Sequence, residues 1–277
     1  MKVNESMKIV SFNAFRTIGM PNVHYIKPEH MFKEIDAIKQ ADIVLFPETW
    51  QVPSLVYGLK KKIFPSIETM QLGFSKIEMT RALWAVSPDH VPYTEILANT
   101  RSNIEYVLDT FPFPFVAKES RNSMGKGVFL IQSKEDFLTY CEKVDALYIQ
   151  EYLPNDGKDL RICVVGDEVL GAYWRVGLEG EFLHNIAQGG ELCADFIPQE
   201  AIDLVLDVAG QLGINHAGFD VMVSEGKYFI IEFNVLFGNQ GLSKLGKSVE
   251  QTIYQYLLSQ FLPPFPTSPT PGNKVVS

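Results

Sequence analysis

The segment Gly218-Phe-Asp-Val-Met-Val-Ser-Glu-Gly-Lys-Tyr-Phe-Ile-Ile-Glu-Phe-Asn-Val-Leu-Phe-Gly-Asn-Gln-Gly241 decides how this chain is read. Its alternation on either side of Ser224-Glu225-Gly226 is the pattern of a β-hairpin. Glu232 and Asn234 are two residues apart and therefore share one strand face. With a three-residue loop and Gly226 in the left-handed conformation, Asp220 falls on that face too, diagonal to Glu232. Two carboxylates and an amide oxygen at the end of a hairpin are hard donors, suited to a Mg²⁺ ion that substrate phosphates also hold. The same residues would serve equally as the solvated polar face of an edge hairpin.

The rest of the chain bounds this reading. It has 277 residues, 46% hydrophobic and 21% charged, enough for one large domain or two to three small ones with a sizeable core. A net charge of −9 argues against a general binder of nucleic acid or anionic membrane, while leaving room for a local basic pocket. Cys141, Cys163 and Cys193 have no metal-type spacing, and a reducing cytoplasm is the expectation. The first residues lack an apolar signal region, and no apolar run approaches membrane-spanning length.

Outward from the hairpin, Lys8–Asn13 and Asp42–Pro47 read as strands around a helix over Pro28–Gln40, with Met31, Ile35 and Ile38 facing inward. This is the opening of a small parallel α/β unit. Phe64–Gly73 is ambiguous. Ser75-Lys-Ile-Glu78 is a capping box that starts a helix running to about Val86, and Pro88–Thr94 is a loop. Strands follow at Phe113–Lys118 and Val128–Ile131, then a helix capped by Ser133, and a strand over Leu147–Leu153. Two more strands, Asp159–Val165 and Glu168–Val176, meet at Gly166-Asp167. A helix over Ile197–Leu212 carries Ala201, Leu204, Val205, Val208 and Leu212 as its buried stripe and ends at Gly213. Val249, Ile253, Leu257 and Phe261 mark a last helix, and the proline-rich tail 263–277 reads as disordered.

A second chemical constellation is strand, glycine loop, strand. Lys118 ends an apolar strand, and Ser120-Arg-Asn-Ser-Met-Gly-Lys-Gly127 follows at once. Backbone N–H groups of such a loop can cover phosphates, with Ser123, Met124, Gly125 and Gly127 at its turn, and a strand lysine supplies a point charge. It is neither a P-loop nor a dinucleotide fingerprint, because the lysine precedes the loop and no helix opens from it. A hairpin loop rich in turn residues is the plain alternative. Lys76, at the first position of a helix, could add to an anion site or be a solvated surface lysine. Arg161 and Arg175 stand on strands, where they could clamp phosphoryl oxygens or form edge salt bridges. Asn185-Ile-Ala-Gln-Gly-Gly190 could fold over a ligand. His184 and His216 are given no role.

Taken together, the order of these pieces resembles the ATP-grasp superfamily, and within it the RimK-like ribosomal-protein glutamate ligases, with glutathione synthetase more distant. The resemblance covers about residues 75 to 261. It rests on Pro-Phe-Val-Ala-Lys118 with its glycine loop, Ile149-Gln-Glu-Tyr-Leu153, Gly157-Lys-Asp-Leu-Arg161, Asn185 to Gly190, Gly218-Phe-Asp220, and Glu232-Phe-Asn234 with Gly238. It implies a mixed α/β and α+β architecture. A small α/β N-terminal domain (1–74) would precede two ATP-grasp subdomains (75–146, with the glycine lid, and 147–262).

The resemblance also implies roles. Lys76 and Lys118 would hold the α- and β-phosphates of ATP, and Gln150, Glu151, Tyr152 and Leu153 would form the adenine hinge. Asp220, Glu232 and Asn234 would bind Mg²⁺, or Mn²⁺ in its place. Arg175 and Asn185 would face the transferring phosphoryl group, with Arg161 nearby, and Asp156 is the candidate for the ribose. The implied activity is a carboxylate–amine ligase working through an acyl phosphate, acting on small-molecule or peptide substrates, without nucleic acid or membrane, in a cytoplasmic protein able to form homo-oligomers. An ATP- or ADP-binding regulatory module and an ATP-grasp phosphotransferase are the competing readings. The chain departs from the family pattern in three places. Leu236-Phe237 stands where Ser-Pro is frequent, Gln188 replaces an arginine, and the turn Pro154-Asn-Asp-Gly157 is one residue shorter.

Overall fold

The computed structural model describes residues 7–120, 127–177, 191–193 and 195–261. The chain begins with β1 (Ile9–Ser11), β2 (Val23–Tyr25), α1 (Ile35–Gln40), β3 (Ile43–Leu45) and β4 (Lys62–Phe64). The four strands form a parallel sheet in the order β2-β1-β3-β4. The expected α/β unit is present, but its helix is shorter than expected. Pro28–His30 makes one tight turn, and Glu34, at φ −105° and ψ 24°, interrupts the helix before α1 begins. Met31 and Ile38 are fully buried, as their spacing predicts, whereas Ile35 at the break is only half-buried.

The ambiguous stretch Phe64–Gly73 resolves into the end of β4 and α2 (Ile67–Leu72), whose N-terminus is capped by the Ser66 hydroxyl accepting from Thr69 N–H at 3.1 Å. Next, α3 (Lys76–Val86) starts where the capping motif places it. Ser75 makes no side-chain cap, however; the Lys76 N–H instead donates to the Ser120 carbonyl at 3.0 Å. The helix start is thus tied to the chain leaving the lysine strand, which a local motif does not foresee.

A second sheet follows, built from β5 (Thr94–Ala98), β6 (Phe115–Lys118), β7 (Val128–Ile131) and β8 (Ala146–Glu151) in the antiparallel order β5-β8-β6-β7. It is covered by α4 (Arg101–Thr110) and α5 (Lys134–Cys141), the latter capped by Ser133 as expected. β5 and α4 were not foreseen, since only Val107 of α4 is fully buried and the helix has too thin an apolar stripe to announce itself. The expected division between residues 146 and 147 falls at the start of β8, whose ladder partners are β5 and β6.

The third sheet contains β9 (Lys158–Val165), β10 (Glu168–Val176), β11 (Glu191–Cys193), β12 (His216–Ser224) and β13 (Lys227–Asn234), in the order β11-β10-β9-β12-β13. Leu160, Ile162, Val164, Phe219, Val221 and Phe233 point to one face, where α3 and α6 (Gln199–Leu212) seal a core. Ala201, Val205 and Val208 of the predicted stripe are fully buried; Leu204 and Leu212 lie at its margin, with Ala209 taking the inner position. Two last helices, α7 (Gln240–Lys244) and α8 (Val249–Phe261), close the opposite face, where Val249, Ile253 and Leu257 pack against β9 and the N-terminal sheet. The tail 263–277 lies outside the described residues.

The opening hairpin has a different turn from the one expected. Ser224 pairs with Lys227, so the loop is the two residues Glu225 and Gly226, both with positive φ (50° and 77°). A strict two-residue hairpin would set Asp220 opposite Ile231. Instead the register shifts between Asp220 and Val221: Val221 pairs with Ile230, and Asp220 pairs directly with Glu232. One extra residue, Ile231, in β13 forms a β-bulge that restores Asp220 to the face of Glu232.

His216, at the start of β12, is fully buried and joins this sheet to the N-terminal one. Its ring stacks on Phe237 at 4.7 Å and meets Phe46 and Phe64 edge-on, each at 5.4 Å, while Nδ1–H donates to the Val235 carbonyl at 2.8 Å. Burial, helped by the nearby charge of Arg16, pushes its pKa down to about 3. A histidine held neutral in the fold but free to protonate when unfolded stabilises fully above its ordinary pKa of 6.5, and that contribution fades as pH falls toward 3. We therefore expect acidification from pH 7 to 5 to cost the native protein roughly 2 kcal/mol more than it costs His216→Phe. Urea unfolding at the two pH values measures this, and an unchanged difference in the variant would refute the assignment.

Candidate active site

The strand pairings line up a row of charges across the third sheet. Arg175 on β10 is the direct neighbour of Asp159 on β9; two residues along, Arg161 neighbours Asp220 on β12, which in turn neighbours Glu232 on β13. All lie on one face, because 159 and 161 are two residues apart. Arg161 grips Asp220 with both sides of its guanidinium: Nη2 donates to Oδ2 at 3.1 Å, and Nε lies 2.6 Å from Oδ1. Arg175 reaches the same carboxylate, with Nη2 at 3.0 Å from Oδ1, and its Nε donates to Asp159 Oδ1 at 2.7 Å while Nη2 also bonds Asp159 Oδ2. The four residues of this network are buried. Burial works against the charge on Arg175, but Asp220 and Asp159 outweigh it and hold its pKa above the usual arginine value.

Asp159 is the residue that sequence reasoning missed; its place two residues before Arg161 in the same strand was the available signal. Both arginines were expected to offer their charge to phosphoryl oxygens. The structure pairs both with carboxylates, as the salt-bridge alternative had it, deep in the sheet rather than at its edge.

The free end of the row carries the two lysines. Lys76 Nζ, from the first turn of α3, lies 3.4 Å from Glu232 Oε2. Lys118, at the end of β6, is buried, with its Nζ over the Tyr148 ring at 5.5 Å. Its backbone is held by the ladder to Val128 and by the Tyr140 hydroxyl, which donates to the Lys118 carbonyl at 2.8 Å. Burial first, and Lys76 second among the lowering effects, push its pKa down to about 8 against the opposing pull of Glu232 and Asp220. Glycine at 127, with φ +73°, closes the loop base, and the Glu119 N–H donates to its carbonyl at 2.7 Å.

Asn234 Nδ2 sits 3.4 Å from both Asp220 Oδ2 and Glu232 Oε1, so the three candidate metal donors converge. Among the described residues no group of three or more His, Cys, Asp or Glu could hold a metal; the set here is two carboxylates and an amide. Its donor types fit a hard divalent cation, with the amide turned so that its oxygen faces the ion. The side chains of Lys76 and Glu232 are 11% and 20% exposed, so this end of the row is the one a ligand can reach.

The hinge is partly committed to the sheet. Gln150 pairs with Thr94 and Glu151 with Phe115, the Gln150 side chain donates to Thr94 Oγ1 at 2.8 Å, and the Glu151 N–H donates to the Tyr93 carbonyl at 2.9 Å. Tyr152 and Leu153 lie beyond the last ladder pair. Asp156 is exposed in the following turn, where the Gly157 N–H donates to Asn155 Oδ1 at 2.9 Å. Ser123, Met124, Gly125, His184, Asn185 and Gln188 lie outside the described residues.

Two sheets that bring a lysine strand, a helix-borne lysine and a carboxylate hairpin together define the ATP-grasp fold. The RimK domain ATP-grasp protein of Sphaerobacter thermophilus superimposes with a TM-score of 0.65 over 90% of this chain and 98% of its own, at 15% identity. The D-alanine–D-alanine ligase of Bacillus anthracis complexed with ATP gives 0.68 over 92% and 98%, at 14% identity. A family model described as the RimK-like ATP-grasp domain matches residues 80–257, and the chain belongs to that family. A relative named probable alpha-L-glutamate ligase, from Alkalilimnicola ehrlichii, is 32% identical over 150 residues, 52% of this chain and 50% of that protein. The chain thus matches about half the length of such relatives. No helix among the described residues is long and apolar enough to cross a membrane.

The charge row separates two carboxylates that look alike in sequence. Asp220→Asn leaves two buried guanidinium groups short of a partner and is expected to cost about 3 kcal/mol or more. Glu232→Gln removes one long, partly exposed ion pair and is expected to cost less than about 1 kcal/mol. Urea unfolding of both variants tests this; equal losses would show that Asp220 is not the hub.

Proposed function

We propose that the protein is an ATP- and Mg²⁺-dependent carboxylate–amine ligase. The observation that carries this reading is the convergence, in a RimK-like ATP-grasp chain, of Lys76, Lys118, Arg161 and Arg175 with Asp159, Asp220 and Glu232. Four cations against three carboxylates leave an excess positive charge, in a chain whose net charge is −9, at the place where a polyphosphate would lie. The names of its relatives as ligases support the same reaction class.

In this reading Lys76 and Lys118 hold the α- and β-phosphates. The glycine loop with Ser123, Met124, Gly125 and Gly127 covers them. Tyr152 and Leu153, just past the sheet, meet the adenine with Gln150 and Glu151 behind them, and Asp156 faces the ribose. Asp220, Glu232 and Asn234 hold the divalent ion, which neutralises charge on the phosphates when bound. Arg175, oriented by Asp159, and Asn185 face the phosphoryl group in transfer, with Arg161 fixing Asp220 beneath them. The substrate carboxylate attacks the γ-phosphorus of ATP, giving an acyl phosphate and releasing ADP. An amine then attacks the acyl carbon, and phosphate and a proton leave as the amide forms. A carboxylate alone is a poor electrophile, so the first step supplies the leaving group. That step needs positioning and charge neutralisation, which fixed cations provide without reorganising. The free cysteines Cys141, Cys163 and Cys193 fit a cytoplasmic setting.

ADP and phosphate release from Mg-ATP, with carboxylates and amines supplied singly and in pairs, tests the reading. Release that requires both, with an amide product by mass, is expected, and Glu232→Gln should lower it by about 100-fold or more. ATP binding without turnover on any pair would favour a nucleotide-binding module instead, and a stable phosphorylated product would favour a phosphotransferase.

Lys118 gives a second test. In the free protein it passes from charged to neutral around pH 8, so nucleotide affinity is expected to fall roughly tenfold as pH rises from 7 to 9. Lys118→Arg stays charged throughout and should flatten that profile. A fall that persists unchanged in Lys118→Arg would remove the lysine from the phosphate site.

A further inference from the structure

A cavity of about 360 Å³ opens beside the hairpin end, between the N-terminal sheet and α2. Its walls include Phe12, Phe46, Met70, Phe74 and Leu236, and it lies one residue beyond Asn234, because Val235 and Leu236 line it. The volume falls in the range of small-molecule sites. Glycine at 73 shapes its floor: a Cβ there would lie 2.1 Å from Val235 Cγ2, so only a glycine lets the end of α2 approach the hairpin end this closely.

The chemistry of the lining is one-sided. Glu48 is the only charged residue among those described around the cavity. Its carboxylate is held by the Trp50 indole, which donates from Nε1 to Oε2 at 2.5 Å. Of the lining residues, Phe74 and Leu236 are half-exposed (51% and 56%), which leaves large apolar surfaces in water beside the candidate site. No cation among the described lining residues could meet a substrate carboxylate, while an ammonium group would meet Glu48.

We infer that this cavity is the acceptor subsite, and that it takes the amino end of a peptide beginning with an apolar residue, or a like apolar amine, rather than glutamate. The inference rests on the ligase reading above. The apolar side chain fills the space between Phe12, Phe46, Met70 and Leu236. Glu48 draws the cationic amine toward the cavity and repels acidic acceptors.

Calorimetric titration of the full chain with leucinamide, N-acetyl-leucine and glutamate tests this. Leucinamide has the amine and the apolar side chain without a carboxylate; N-acetyl-leucine lacks the amine. Leucinamide is expected to bind at least tenfold more tightly than either of the others. Glu48→Gln, which keeps an acceptor for Trp50, should weaken it by a further factor of about ten. Leu236→Ala, at an exposed position, should weaken it several-fold. Glutamate binding as tightly as leucinamide, indifference to Glu48→Gln, or no binding by any of the three would overturn the assignment. Selective leucinamide binding without ADP release on any substrate pair would leave the subsite standing and remove the ligase reading. ADP release best supported by glutamate as the amine would do the reverse.

Discussion

A buried carboxylate, Asp220, is the interaction on which the rest of this structure depends. Removing a charge from water is costly, and the cost is met only where partners of opposite charge are fixed in place. Here Arg161 and Arg175 both close on Asp220, and Arg175 is itself held by Asp159. The arrangement requires three adjacent strands in one register, and it leaves no room for substitutions nearby. A Cβ on Gly218 would lie 2.7 Å from Arg161 Nη1 and 2.8 Å from Phe237 Cβ, so the strand beside the charge row must be bare at that point. The opposite face of the same sheet carries the main apolar core, which fixes which way the charges face.

The row is also uneven along its length. Its inner members pair closely with one another, while Glu232, Asn234 and Lys76 lie at the more open end of the row, beside Lys118 on the neighbouring sheet. A buried lysine whose charge is weakened by burial, and an amide placed between two carboxylates, are groups whose electrostatic situation improves when a polyanion and a cation arrive together. The inner network supplies rigidity, and the outer end is the more accessible to a ligand.

The N-terminal sheet takes part through its attachment to the hairpin. His216 is packed among Phe46, Phe64 and Phe237; Arg16 Nη2 donates to the Phe237 carbonyl at 2.9 Å; and the Ser66 hydroxyl donates to the Gly213 carbonyl at 2.7 Å. These contacts bring residues 46–49 beside the cavity at the hairpin end. They also account for the pair Leu236-Phe237. Phe237 is buried as part of the joint, and Leu236 is half-exposed on the cavity wall. One member of the pair serves the fold, and the other shapes the space beside the candidate metal donors.

Much of the plan was legible from local pattern. Period-two alternation set Glu232 and Asn234 on one face, glycine marked the hairpin turn and the end of α6, and the order of lysines, glycines and carboxylates pointed to the family. Those features depend on residues close in sequence, so the chain alone determined them. It failed where the signal was thin, as in α4 with Val107 as its one fully buried residue, and where a motif had a competing partner, as at Ser75, whose helix start is taken by the Ser120 carbonyl. Asp220 reached the expected face by another route, through a two-residue turn and the bulge at Ile231, because the loop type and a distant extra residue together set the register. The pairing of Asp159 with Arg175, the burial of Lys118, and the cavity that Glu48 and Leu236 both line were decided by tertiary structure alone. Each arises between segments far apart in the chain, where charge compensation and packing across strands, and not local propensity, select the neighbour.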